Sequence, residues 1–176
     1  MGESAIIVPV AEAEPLVGKL RDQFDSSARL GVPAHITILY PFCPPEAITA
    51  KVLDDLRRGI ADIQPFEFCL ATVGRFPGVL YLTPEPAAPF VKLIEAIARQ
   101  FPEYPPYEGR HHTIVPHLTI ADGGDAQVAA AEAELLALMK QHGPVRSICD
   151  GVRLIENSSG RWKEHVAGTK AKLHQP

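Results

Sequence analysis

The chain has 176 residues, 46% hydrophobic and 22% charged, with 17 Lys and Arg against 21 Asp and Glu for a formal net charge of −4. That length suits one domain, and the apolar share excludes globally disordered, collagen-like, coiled-coil and disulfide-scaffold classes. No apolar stretch approaches the roughly 20 residues of a membrane helix, no secretory signal is visible, and Cys43, Cys69 and Cys149 are spaced like reduced thiols of a cytoplasmic protein.

Strands and helices alternate along the chain. Residues 4–10 read as a strand. Over 13–25, Leu16, Val17, Leu20 and Phe24 fall on one helical face. Residues 35–42 are β-branched and aromatic and read as a strand, which Cys43, Pro44 and Pro45 close. Ile48, Val52, Leu53, Leu56 and Ile60 form a second helical stripe. Residues 66–74 and 79–83 read as a hairpin turning at Phe76-Pro77-Gly78, and Phe90, Val91, Ile94 and Ile97 mark a third helix. The Pro- and Gly-rich stretch 102–110 reads as a loop and 113–121 as a strand. Residues 125–141 are rich in Ala, Glu and Leu, strong helix formers. Residues 145–156 and 161–169 read as two strands around the turn Asn157-Ser158-Ser159-Gly160.

Charge is uneven along this order. Residues 145–176 hold six basic side chains (Arg146, Arg153, Arg161, Lys163, Lys170, Lys172) against three acidic ones, while the rest is acidic. An acidic chain lacks the many Lys and Arg contacts by which proteins track along extended nucleic acid, yet the basic tail leaves room for local phosphate contacts. The element order also repeats. Strand, helix, strand, helix, strand occurs once from the start and again from residue 79. The expectation is one domain over 1–176, built from half-lobes of roughly 1–78 and 79–176 that exchange strands.

The third element of each half carries the same pattern, His35-Ile36-Thr37-Ile38 and His117-Leu118-Thr119-Ile120, each just after a proline. Composition alone gives about 0.3 His-x-Thr tripeptides, and His111-His112-Thr113 is a third copy without a counterpart in the first half. In a strand, alternate side chains share a face, so each His points with its Thr while the aliphatic residues face a core. Cleavage of a phosphodiester needs a base for the nucleophile and an acid for the leaving oxygen, and imidazole does either near neutral pH. Two histidines facing one phosphorus can share those roles, and two threonine hydroxyls can hold its oxygens. His35 and His117 are therefore the candidate catalytic pair and Thr37 and Thr119 the candidate phosphate-binding pair. His111 is a candidate lining residue at the mouth, beside His112. Two other uses of these residues stay open: a module that binds RNA ends or nucleotides without turnover, and a metal hydrolase built on the clustered histidines. Against the latter, no Cys, Asp or Glu sits at zinc-ligand spacing around them, and no Gly-rich phosphate loop or Cys-x-x-Cys pair is present.

The two His-x-Thr motifs resemble the signatures of the 2H phosphoesterase superfamily, in its 2′-5′ RNA ligase-like and cyclic phosphodiesterase branch. Phe76-Pro77-Gly78-Val79-Leu80-Tyr81 is similar to that family's central hairpin. The resemblance implies a bilobal α+β fold with pseudo-two-fold duplication, in which two antiparallel sheets line a central cleft and helices cover their outer faces. It implies hydrolysis of a 2′,3′-cyclic phosphate or related cyclic nucleotide phosphodiester without metal or other cofactor, with 2′-5′ joining of RNA ends in the ligase-like branch. His35 and His117 would be the acid–base pair. The implied partner is a small nucleotide or an RNA end carrying a cyclic phosphate, with no membrane and no extended nucleic acid, and the protein is expected to be a monomer. One position departs. The branch often carries an arginine three residues after the second Thr, where this chain has Asp122. Arg110, Arg161 and Lys163 are the candidate cations to replace it.

Overall fold

The apolar alternation read above builds two sheets that share one core. The computed structural model describes residues 2–106, 115–165 and 171–173. The strands are β1 (Ser4–Pro9), β2 (His35–Leu39), β3 (Phe66–Phe76), β4 (Val79–Glu85), β5 (Leu118–Asp122), β6 (Val145–Cys149), β7 (Gly151–Glu156), β8 (Lys163–Glu164) and β9 (Ala171–Lys172). The helices are α1 (Glu14–Phe24), α2 (Ser26–Arg29), α3 (Ala50–Gly59), α4 (Ala88–Gln100) and α5 (Asp125–His142). The first sheet runs β2-β1-β7-β8, with β9 also paired to β7, and the second runs β5-β4-β3-β6; every pairing is antiparallel.

The row β2-β1-β7 has its counterpart in β5-β4-β3. In each row two strands come from one half of the chain and the third from the other half. The helices follow the same crossing: α4 packs behind β2, and α1 and α5 pack behind β5. One continuous core joins Ile6, Ile36, Ile38 and Leu154 of the first sheet with Leu80, Leu82, Leu118 and Ile120 of the second. Leu20 and Phe24 of α1, Phe90 and Ile97 of α4 and Val128 and Leu135 of α5 fill it. The opposite faces of the two sheets are left for the cleft.

Two expectations are corrected. Residues 145–156 are not one strand: the chain leaves the second sheet after Cys149 and enters the first at Gly151. The reason lies in burial. Val145, Ser147 and Cys149 alternate with outward Arg146 and Ile148, whereas β7 lies deep in its sheet between β1 on one edge and β8 and β9 on the other. Gly151 makes this entry possible, because a Cβ there would stand 2.4 Å from the Ala171 carbonyl oxygen. The strand expected over 161–169 is reduced to Lys163–Glu164, with residues 166–170 outside the described part. In the strand expected over 35–42 the ladder ends at Leu39.

Candidate active site

His35 opens β2 and His117 immediately precedes β5, so each motif begins where its strand joins a sheet. Period-two alternation then sorts the side chains. Ile36, Ile38, Leu118 and Ile120 are buried in the core, while His35, Thr37, His117 and Thr119 are half-buried and line one cleft. The ladders extend each row. Thr37 stands opposite Ile7, which stands opposite Arg153; Thr119 stands opposite Tyr81, which stands opposite Gly74. The cleft encloses about 790 Å³, within the range of about 300–1,000 Å³ that small-molecule sites occupy.

Both rings are held alike. Nδ1 of His35 lies 2.8 Å from the Pro33 carbonyl oxygen, and Nδ1 of His117 lies 2.7 Å from that of Val115. A carbonyl can only accept, so Nδ1 carries the proton in each ring and Nε2 is left to take or give one. Burial in the cleft wall drives both rings toward the neutral form. His35 is pushed down to about 4, mainly by desolvation, with Arg21 and a charge on His117 acting the same way and the Pro33 bond and Asp25 opposing. His117 is also lowered, by desolvation against its bond to Val115.

Behind the motifs lies a residue that the sequence reading placed on no site. Arg21 is 2% exposed, because it falls on the buried stripe of α1 with Val17, Leu20 and Phe24. Its guanidinium pairs with Asp25 at 2.7 Å, and donates to the Thr119 carbonyl at 3.1 Å and to the Val32 carbonyl at 3.4 Å. One buried cation thus joins the second motif to the segment leading into the first. The available signal was an arginine on an apolar stripe with an aspartate four residues on.

Asp122 lines the cleft and is clasped to the start of α2. The Ser26 N–H donates to its Oδ1 at 2.8 Å, and the Ser26 hydroxyl donates to its Oδ2. Of the candidate cations, Arg161 is exposed beside Gly31, and Lys163 is paired with Glu156 at 3.3 Å; neither lines the cleft. Arg110 and His111 lie outside the described residues, as does His112. By strand register Arg153 falls in the Thr37–Ile7 row, but it does not line the cleft; its Nη1 lies 3.5 Å from Glu164, and its buried Nε has no hydrogen-bond partner among the described residues. Trp162 lines the cleft and meets Tyr40 edge-on at 6.2 Å over Ala5, Ile7, Val32 and Ile155. Tyr81 instead packs beside His117, with Phe76. Among the described residues no group of three His, Cys, Asp or Glu side chains is placed to hold a metal ion, and no described helix is long and apolar enough to cross a membrane.

Comparison with known proteins bears on this arrangement. A family model described as the 2′-5′ RNA ligase superfamily matches residues 8–161. A protein of Bacillus cytotoxicus, provisionally named a phosphoesterase, is 30% identical over 119 residues. That match covers 66% of this chain and 66% of the relative, just under two thirds of its length. Among solved structures, Escherichia coli LigT in complex with 3′-AMP superposes with a TM-score of 0.63 at 16% identity, covering 98% of each chain. LigT in complex with NADP+ gives 0.60 at 17% identity over the same shares. A conserved protein of unknown function from Agrobacterium tumefaciens gives 0.51 at 14% identity, covering 93% of this chain and 84% of its own. At these identities the structural likeness speaks for the fold: mixed helix and sheet, with two antiparallel sheets.

Proposed function

The chain belongs to the 2′-5′ RNA ligase superfamily, and from that premise we propose that it is a phosphodiesterase that opens a 2′,3′-cyclic phosphate on a small nucleotide or an RNA end. The observation that carries this reading is the pair of His-x-Thr rows on one cleft, each ring tied through Nδ1 to a backbone carbonyl so that Nε2 remains for proton transfer. A water oxygen attacks phosphorus. One Nε2 takes its proton as the new P–O bond forms, and the other imidazole, protonated, gives a proton to the ribose oxygen as its P–O bond breaks. The product is a phosphate monoester. The Thr37 and Thr119 hydroxyls donate to the non-bridging oxygens, where charge gathers in the transition state. No metal takes a step in this scheme. With a ribose 5′-hydroxyl in place of water as the nucleophile, the same ring opening releases the 3′-oxygen and joins two ends through a 2′-5′ bond. Asp122 and Glu3 on the cleft wall repel added phosphates, which favours a single cyclic phosphate over an extended strand.

The test is a panel of 2′,3′-cyclic nucleotides and short RNAs ending in a cyclic phosphate, assayed in EDTA. Monoester should form at an undiminished rate with the chelator, and His35→Ala or His117→Ala should lower kcat/KM by about 10²–10⁴-fold. Tight binding with no product would instead mark a module that recognises phosphate ends, and loss of turnover in EDTA would point to a metal hydrolase.

A further inference from the structure

Resting on the phosphodiesterase reading, we propose that the cleft selects guanine as the base of the nucleotide it opens. The Glu3 carboxylate and the Asn157 amide read the base, and Trp162 and Tyr40 hold its ring. Aromatic side chains line the cleft in two places, and these differ in chemistry. The β3–β4 hairpin contributes Phe76 with Pro77 and Val79, none of which carries a polar group to tell one base from another. The other place is built by the register of the first sheet. Ser4 stands opposite Glu156, so Glu3 and Asn157 form the next pair beyond it, and Tyr40 follows Leu39, the last ladder residue of β2. Tyr40 lies three residues beyond Thr37, roughly 10 Å at the rise of a strand. That is the reach of one nucleoside from its phosphate to the far edge of its base. The floor is apolar, formed by Ala5, Ile7, Val32 and Ile155 against the Tyr40 and Trp162 rings.

Hydrogen bonds fix the reading edge. The Glu3 main-chain N–H donates to Asn157 Oδ1 at 2.6 Å, and the Asn157 main-chain N–H donates to the Glu3 carbonyl at 3.0 Å. The Glu3 carboxylate accepts the Tyr40 hydroxyl on Oε1 at 3.1 Å and Asn157 Nδ2 on Oε2 at 3.4 Å. With Oδ1 held by a main-chain donor, the amide sets Nδ2 beside the carboxylate and keeps its second N–H to give. A carboxylate has about four acceptor sites, so each oxygen keeps capacity for a ligand. The edge thus offers an amide donor next to a pair of carboxylate acceptors. Guanine is the complement, because its O6 accepts while N1–H and N2–H donate side by side. Adenine and cytosine set a ring acceptor beside their amino group, which the carboxylate repels, and uracil has a single N–H. Charge points the same way. Among the described residues lining the cleft none is Lys or Arg, so this anionic corner takes a neutral ring with N–H donors and refuses a second phosphate. Trp162 is set by its main-chain N–H, which donates to the Leu30 carbonyl at 2.9 Å, and its ring meets Tyr40 at 65°. A flat heterocycle on the floor lies face-on to one ring and edge-on to the other, the two arrangements that aromatic pairs prefer.

Trp162 is the only tryptophan of the chain, so its fluorescence reports a stacked base directly. The 2′,3′-cyclic forms of GMP, AMP, CMP and UMP are compared as substrates, and 3′-GMP, 3′-AMP and inorganic phosphate as quenchers. The kcat/KM for the guanine substrate should exceed the others by about 10–100-fold. Quenching by 3′-GMP should need about tenfold less ligand than quenching by 3′-AMP, and phosphate should leave the emission unchanged. Glu3→Gln should bring the four substrates within about threefold of one another, through KM more than kcat. Trp162→Ala should lower kcat/KM on all four by about 5–100-fold and keep their order. Equal rates on the four, a guanine preference that survives Glu3→Gln, or quenching independent of the base would overturn the proposal. Should Trp162→Ala fail to fold, wild-type quenching and Glu3→Gln still decide. Quenching ordered by base with no turnover of any cyclic nucleotide would count against the phosphodiesterase reading alone, whereas turnover without base order would count against the guanine subsite alone.

Discussion

At the first half-site an imidazole stands beside a buried ion pair; at the second, its counterpart stands against two aromatic rings. Both rings occupy the same point of the same motif, tied to the carbonyl two residues back. The strands therefore fix where the rings are, and elements outside the matched strands fix what surrounds them. For His35 that element is α1, which buries Arg21 under both motifs. For His117 it is the β3–β4 hairpin, where Phe76 and Tyr81 meet at 4.4 Å. A frame with internal symmetry places the two rings at equivalent points, and the difference between their surroundings enters from the side.

The comparison can be broken most forcefully on the charged side. Arg21→Met strands Asp25 in the interior and should cost about 3–5 kcal/mol of stability, while Arg21→Met with Asp25→Leu should recover most of it; urea unfolding of both variants checks this. A double variant as unstable as the single one would mean that the carbonyl bonds of Arg21, and not its charge, hold the half-sites together. The aromatic side is broken more gently by Gly74→Ala. A Cβ at Gly74 would fall 2.3 Å from the Tyr81 ring, so the ring must move, at a cost of about 1–3 kcal/mol. His117's titration midpoint should move with it and His35's should stay. The most gradual effect is that of pH on stability. His35 is lowered to about 4 from 6.5, so between those values the unfolded chain binds the extra proton. Stability should be flat above 6.5 and fall as pH drops toward 4. His35→Gln should flatten that part of a denaturation series, and an unchanged slope would show that the ring is not held neutral.

Much of this site was legible in the sequence because the relevant signal is local. A His and a Thr two apart in an apolar strand must share a face, and two such strands at matching places in a repeated order suggest a shared cleft. The contacts that distinguish the rings are not local. Arg21 lies on the apolar stripe of its helix, but nothing beside it there reveals its long-range partners, and Thr119, whose carbonyl it reaches, lies far along the chain. Ser26, which fixes the Asp122 carboxylate, is equally remote. Charge alone nominated Arg161 and Lys163, which the fold leaves off the cleft, and the strand parity that sets Arg153 in the row of Thr37 and Ile7 is invisible until the break at Asp150 is found. The local mark of that break is the turn-forming pair Asp150-Gly151, set between two stretches that each read as strand.

The exchange of strands between the sheets also sets the order in which they can be completed during synthesis. The second sheet is contiguous in the chain, from Phe66 to Cys149, and can close while the remaining residues are still being added. The first sheet cannot. Between the emergence of β1 and that of β7, about 140 residues must be made, or roughly 7–30 s at usual rates of elongation. Through that interval β1, whose residues are nearly all buried in the finished fold, keeps one apolar edge without its neighbour. An open edge of this kind invites pairing with other chains. The nascent protein is thus at its most aggregation-prone just before its two histidines are brought onto one cleft.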